Sequence, residues 1–179
     1  MDQRGFTLVE LAVAVGITAV VAMLAVPSFF KMVPHMALRN ESSEISTLLV
    51  RSRMRSLGEA LYFKMSFDLS DDSYQIDRGE VVTDPGTGNK VIQWSVDHPA
   101  VKVSKRVDLL ADTSDALVQP FSGDTVIFRP DGTADTAGFE AVYLRNHPFT
   151  GERYRVKVLG TTGKIGIERW AGGSWEKAL

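Results

Sequence analysis

The first thirty residues, MDQRGFTLVE LAVAVGITAV VAMLAVPSFF, restrict this chain more than any other stretch. Residues 11–26 carry no charge, and the uncharged run continues through Pro27, Ser28, Phe29 and Phe30. About twenty such residues is the length a helix needs to cross a hydrocarbon core of roughly 30 Å. Nothing like an A-x-A cleavage site follows Phe30, so the segment is expected to stay on the chain as a membrane-spanning helix. Arg4 lies on the short flank before it, which by the positive-inside tendency leaves that flank in the cytoplasm. Lys31, His35 and Arg39 follow closely on the other side and weaken that signal.

Glu10 stands near the start of this apolar run. A charged group costs about 2.5–3.5 kcal/mol at the centre of an inserted helix, and less near an end, so such groups usually have a partner. No Lys or Arg lies one helical turn away. Either Glu10 is close enough to the interface to reach water, or a positive charge is delivered to it at bilayer depth. A cut between Gly5 and Phe6 would create such a charge, as a new α-amino group on this chain or on a neighbour.

The run Arg4-Gly5-Phe6-Thr7-Leu8-Val9-Glu10 resembles the processing site of type IV prepilins and type II secretion pseudopilins. The shared features are a short basic leader ending in Gly, an aromatic first mature residue, and a Glu five residues into the mature chain. The resemblance implies cleavage between Gly5 and Phe6 by a prepilin peptidase and N-methylation of Phe6. It also implies assembly with other pilin or pseudopilin subunits into a filament whose core is the packed helices. Glu10 would neutralise the amino terminus of an adjacent subunit. Pro27 matches the same pattern and is expected to kink or locally melt the helix, because proline lacks an N–H and clashes with the preceding turn. Pro34 adds a second candidate break.

Residues 39–57 read as the continuation of this helix. Leu38, Ile45, Leu48, Leu49 and Leu57 recur near helical spacing, with Glu41, Glu44, Arg51, Arg53 and Arg55 mostly on other faces, and Gly58 supplies a stop signal. After Gly58 the period becomes two. Leu61, Phe63, Met65, Phe67 and Leu69 alternate, Ser70-Asp71-Asp72-Ser73 makes a turn, and Tyr74 and Ile76 begin a return strand. Further strands are expected at 81–82, 91–96, 101–103, 125–128, 141–144, 154–158 and 164–167, separated by turns such as DPGTGN at 84–89 and PDG at 130–132. The expected fold class is α+β, a long N-terminal hydrophobic helix packed on an antiparallel β-sandwich head. Its parts are a leader at 1–5, a helix at 6–57 that is apolar to about residue 30 and amphipathic beyond, and a β-rich head at 58–179. A chain of 179 residues suits one such head plus an anchor.

Within the head, Phe128-Arg129-Pro130-Asp131-Gly132, followed by Tyr154-Arg155-Val156-Lys157-Val158 and Gly163-Lys164-Ile165-Gly166-Ile167, is similar to the H-type minor pseudopilins and the related FimT-type minor pilins. In those families an F-x-P-x-G turn precedes a final pair of strands ending in a Gly-basic-hydrophobic sequence, and the head is a β-sandwich. The resemblance implies a minor pseudopilin of a type II secretion system. The expected location is the bacterial inner membrane, single-pass, with the amino terminus cytoplasmic and the head periplasmic until the subunit joins the filament.

Charge separates two versions of that reading. Residues 59–140 hold 15 acidic and 7 basic side chains, whereas residues 141–179 hold 7 basic and 3 acidic. FimT-type pilins are associated with DNA uptake through a basic Gly-Arg-x-Arg sequence, which here falls on Gly163-Lys164-Ile165-Gly166, with Gly in the second basic position. Arg153, Arg155, Lys157, Lys164 and Arg169, with Trp170 and Trp175 nearby, are the candidate nucleic-acid contacts; a solvated basic face is the alternative.

Enzyme chemistry has little to stand on. His35, His98 and His147 form no metal-ligand pair, and no nucleophile elbow or complete phosphate loop is present. GTGNK at 86–90 lacks the spacing of a phosphate loop and reads as a hairpin turn. Asp68, Asp71, Asp72 and Asp77 lack the spacing of a calcium loop and read as a hairpin tip. There is no cysteine. The expectation is a structural subunit without cofactor or metal.

Overall fold

The computed structural model describes residues 7–112, 115–146 and 151–178, without the side chains of 24–32. Arg4, Gly5, Phe6 and His147 lie outside the described residues, as does the Pro27 side chain.

A single helix, α1 (Leu8–Glu59), runs for 52 residues, about 78 Å at 1.5 Å per residue. The helix runs without interruption through Pro27 and Pro34, so the local melting expected at Pro27 and the break expected at Pro34 do not occur. A proline removes only one ladder hydrogen bond, and a long helix can continue across that loss. Gly58 also fails as the stop signal. The helix ends one residue later, and the left-handed cap falls on Ala60, with φ 55°.

The buried stripe of the helix differs in composition from the leucine pattern. Leu38, Ser42, Ile45, Leu49, Ser52 and Ser56 are all at most 2% exposed, spaced alternately by four and three residues. Half of this stripe is serine. Ser42 and Ser56 return their hydroxyls to the helix carbonyls of Arg39 and Arg53 at 2.9 and 2.7 Å, so their burial leaves no unmet polar group. Small side chains let the backbone approach the strands closely. Leu48 is only partly buried, and Leu57, 46% exposed, lies at the rim.

Two sheets receive the helix. The smaller has the order β3 (Lys90–Lys102), β2 (Ser73–Thr83), β1 (Tyr62–Asp68) and β6 (Thr125–Phe128), all antiparallel. Phe63, Met65 and Phe67 of β1 point inward, as their period predicts. The larger has the order β10 (Trp175–Lys177), β9 (Lys164–Trp170), β8 (Arg153–Leu159), β7 (Phe139–Asn146) and β4 (Val107–Leu110). Its β5 (Val118–Pro120) pairs with β7 in parallel, the exception to an otherwise antiparallel head. The segments expected separately at 91–96 and 101–103 are one strand, which tolerates Pro99 because β3 is an edge and needs no donor on its free side. Likewise 81–82 is the end of a long β2.

The core joins all three layers: Leu38, Ile45 and Leu49 of the helix meet Phe63, Met65, Val126 and Phe128 of the small sheet and Val142, Leu144, Val156 and Ile167 of the large one. The fold is therefore α+β, a long helix packed on two β-sheets. Among the described side chains of the helix, those that take part begin at Ala37. From Leu8 to Met23 every residue is exposed, and Leu8, Val9, Leu11, Val13, Val15, Ile17, Val20, Val21 and Met23 are between 55% and 83% accessible.

Candidate functional site

Thr7 is the N-cap of α1, and Glu10 sits at the third helical position. The Glu10 N–H donates to Thr7 Oγ1 at 3.2 Å, while the Thr7 N–H and Oγ1–H both donate to Glu10 Oε2 at 2.9 Å. This reciprocal arrangement satisfies donors that every helix start leaves open. It also gives Glu10 a reason for its position within this chain. The signal stands in the sequence as Thr-x-x-Glu before an apolar run, a pattern in which the partner of Glu10 is the helix start and not a charge. The next polar side chain along the helix, Thr18, donates to the Ala14 carbonyl at 2.8 Å, so it too offers the surroundings an apolar exterior.

The apolar run expected to cross a membrane passes into residues whose side chains are not described. Among the described residues, no helical stretch is long and apolar enough to cross a membrane.

At the opposite end of the helix the two head sequences singled out above come together. Gly132 adopts φ 78° in the turn after β6, and its carbonyl accepts the Arg53 Nε–H at 3.0 Å. A Cβ on Gly132 would stand 2.9 Å from Leu57 Cδ2. Gly163, with φ 62°, closes the β8–β9 turn so tightly that a Cβ there would stand 2.2 Å from the Gly132 carbonyl oxygen and 2.7 Å from Arg53 Nε. The F-x-P-x-G turn and the Gly-basic-hydrophobic sequence are thus two sides of one latch that holds the head to the helix. Arg53 is its third part, which no short sequence pattern marked.

The five candidate nucleic-acid contacts are not one free patch. Arg155 is 4% exposed and forms ion pairs with Asp115 and Glu168, each at 2.6 Å, while its guanidinium stacks 4.4 Å from the Trp175 ring. Burial alone would raise the Glu168 carboxyl, but hydrogen bonds from Lys157 and Arg155 outweigh it and hold the group below its ordinary range. The hydrogen bond from Arg155 lowers Asp115 in the same way. Lys157 pairs with Glu168 at 2.5 Å, and Arg153 pairs with Asp112 at 3.0 Å. Lys164 and Arg169 are exposed. Trp170 and Trp175 meet edge to face at 5.4 Å across β9 and β10.

The remaining polar features have structural occupations. Asp68 caps the β1–β2 turn through the Ser70 and Asp71 N–H groups, Asp72 accepts the Leu109 N–H at 2.7 Å, and Asp77 pairs with Lys64 at 2.9 Å. Asp71 pairs with Lys102. Residues 84–89 form the β2–β3 turn, where the Gly88 N–H donates to the Asp84 carbonyl at 2.8 Å. His35 Nδ1 lies 2.7 Å from Glu152 Oε2, and His98 Nδ1 lies 3.0 Å from the Pro99 carbonyl. Among the described residues, no three of His, Asp and Glu gather as metal ligands.

Residues 1–26 match the family described as the prokaryotic N-terminal methylation motif. No curated protein matches the chain in sequence. Among solved structures, the chain is similar to the minor pseudopilin EpsH of the type 2 secretion system of Vibrio cholerae. One structure of that protein superposes with a TM-score of 0.49 at 10% identity, covering 76% of this chain and 98% of that one. A second gives 0.46 at 9% identity, covering 76% and 97%.

Proposed function

We propose that this chain is a minor subunit of a pilus-like filament, a pseudopilin of the H type in a type II secretion system. The observation that carries the reading is the methylation motif over residues 1–26, which continues into a helix exposed on every side from Leu8 to Met23. A contiguous apolar surface of that extent has to be covered. The bilayer covers it in the stored subunit, with the amino terminus cytoplasmic and the head periplasmic, and neighbouring helices cover it in the filament. Cleavage between Gly5 and Phe6 and methylation of the new terminus precede assembly. Glu10 then receives the amino terminus of an adjacent subunit, and Pro27 lies within the packed helical core. The leader, the helix and the head act as separate parts: an address, an assembly rod and an outer contact surface. The role is structural and uses no reaction of its own.

Secretion is favoured over DNA uptake by the engagement of Arg153, Arg155 and Lys157 with carboxylates of the same head, which leaves less charge for phosphates.

The test is intact-mass analysis of the protein from cells with and without a prepilin peptidase. Loss of residues 1–5 and gain of one methyl group only when the peptidase is present is the expected result. An unprocessed chain in both strains would overturn the assembly reading.

A further inference from the structure

Beside the helix, where it enters the head, His35, Arg39, Tyr154, Arg169, Lys177 and Ala178 line a cavity of about 200 Å³. Three of these side chains, Arg39, Arg169 and Lys177, are cations that form no ion pair among the described residues. Elsewhere in the head most arginines sit against carboxylates, as Arg55, Arg78, Arg129, Arg145, Arg153 and Arg155 do. Nearby, Glu152 is held by His35 at 2.7 Å. Glu176 lies opposite Arg169 in the ladder between β9 and β10, yet no ion pair joins them. Tyr154 forms the wall. It is 4% exposed, and burial first, then Glu152, holds its phenol above the ordinary range against the opposing pull of Arg169 and Arg39, so it remains a neutral donor.

The height of this cavity on the helix is informative. With the uncharged run ending at Phe30, His35 stands about 7.5 Å and Arg39 about 13.5 Å further along a helix rising 1.5 Å per residue. The headgroup layer beyond a hydrocarbon core is roughly 5–8 Å deep on each side. Helical side chains lean toward the amino terminus, so Arg39 leans back toward that layer. A buried tyrosine at the same level fits the interfacial preference of its ring and hydroxyl.

We propose that this cavity holds a phosphate ester, supplied by the headgroup of an anionic phospholipid, and so seats the foot of the head on the membrane surface. The proposal rests on the reading that the first part of the helix lies in a bilayer. Arg39 and Arg169 supply the planar donors suited to phosphate oxygens, Lys177 a third positive charge, and Tyr154 a wall that excludes water on one side. The interaction gives a physical state to the subunit before assembly. Extraction into the filament must then exchange the lipid phosphate for another anion or for water.

The test compares full-length chains in nanodiscs of mixed phosphatidylglycerol and phosphatidylcholine, released and weighed by native mass spectrometry. The wild type is expected to retain phosphatidylglycerol at least tenfold over phosphatidylcholine. Arg39→Gln with Arg169→Gln should lose that preference at least tenfold. Arg51→Gln with Lys90→Gln, which removes equal charge from exposed positions nearer the far end of the head, should keep it. Retention unchanged in the pocket variant would overturn the proposal. So would equal line broadening of inorganic phosphate by the detergent-solubilised chain without any lipid preference, which would make free phosphate the ligand. Carbonate extraction of cell membranes carrying the wild-type and pocket-variant chains separates the two claims. A wild-type chain released by carbonate would sink the membrane reading and this proposal together. A chain that stays inserted with unchanged lipid retention would sink this proposal alone.

Discussion

Replacing Gly163 by alanine should damage the head far more than the same methyl group added at Gly166 in β9. Gly163 has φ 62°, a conformation that costs a residue with a Cβ about 1–2 kcal/mol. The new Cβ would also stand 2.2 Å from the Gly132 carbonyl oxygen, a backbone atom that cannot swing aside as a side chain can. The turn must therefore move, and the same carbonyl is the acceptor for Arg53 at 3.0 Å. Losing a hydrogen bond to a charged donor costs about 1.5–3 kcal/mol. The two effects together come to about 2.5–5 kcal/mol, a large part of the roughly 5–15 kcal/mol that holds a typical domain. At roughly 2–4 °C per kcal/mol for a chain of this size, Tm should fall by about 5–20 °C. Gly166→Ala is the internal comparison, because a Cβ there meets only Lys157 side-chain carbons at 3.6 and 3.8 Å and its φ is not positive. It should change stability by less than about 1 kcal/mol. The assay is urea denaturation of the detergent-solubilised full chain, followed by tryptophan fluorescence. If the two alanine variants unfold within about 1 kcal/mol of each other, the latch does not constrain the fold as argued.

Three further perturbations separate the other claims. Ala60→Gly should raise stability by about 1 kcal/mol, because Ala60 holds φ 55° at the helix end and is exposed; the same denaturation series checks it, and a loss of stability would show that the cap is not strained. Arg155→Ala should destabilise by about 3–5 kcal/mol at pH 7, since Asp115 and Glu168 would be left without their buried cation. The pH dependence has a definite sign: both carboxyls are lowered in the folded chain, so their contribution is present above the unfolded values near 4 and is lost as pH falls through the folded ones. The wild type should therefore lose stability in acid along a steeper curve than Arg155→Ala, and parallel curves would count against the ion-pair account. Arg53→Ala, which removes the donor to Gly132 but adds no clash, should cost about 1.5–3 kcal/mol and fall between Gly166→Ala and Gly163→Ala in the same assay.

The periodic parts of this chain were legible from residues alone, and the reason is physical. Phe63, Met65 and Phe67 alternate because one face of β1 is buried, and that alternation survives in the sequence whatever the strand pairs with. β4, β5 and β10 are three or four residues long, too short for any period to register; they owe their structure to β7 and β9, which offer free edges to them. Ser42, Ser52 and Ser56 were missed for a different reason. A buried serine is invisible to a hydrophobic pattern, yet these side chains set how closely the helix meets the sheets. The basic residues of β8 were legible as charge but not as pairs, because Asp112 and Asp115 come from a distant stretch of the acidic half. Gly132 and Gly163 were marked by resemblance; that they touch one another and Arg53 follows only from the fold.

The geometry at Glu10 separates two roles that an alanine substitution would merge. Both bonds from Thr7 fall on Oε2, so a carboxylate with about four lone-pair sites keeps Oε1 for a second donor. Cleavage after Gly5 leaves the Thr7 N–H and hydroxyl in place, so the cap can survive processing while Oε1 receives an amino terminus from a neighbour. Glu10→Gln retains an oxygen to accept from Thr7 but removes the charge that an ammonium group needs at bilayer depth, where an isolated charge costs about 2.5–3.5 kcal/mol. If capping alone explains this residue, the glutamine chain should enter the filament as the wild type does, and Glu10→Ala should fail by fraying the helix start. If charge pairing is the function, Glu10→Gln and Glu10→Ala should both insert, both be cleaved, and both fail to co-purify with partner subunits. The second pattern is the expected one. Normal co-purification of the glutamine chain would refute it and leave Glu10 as a helix cap.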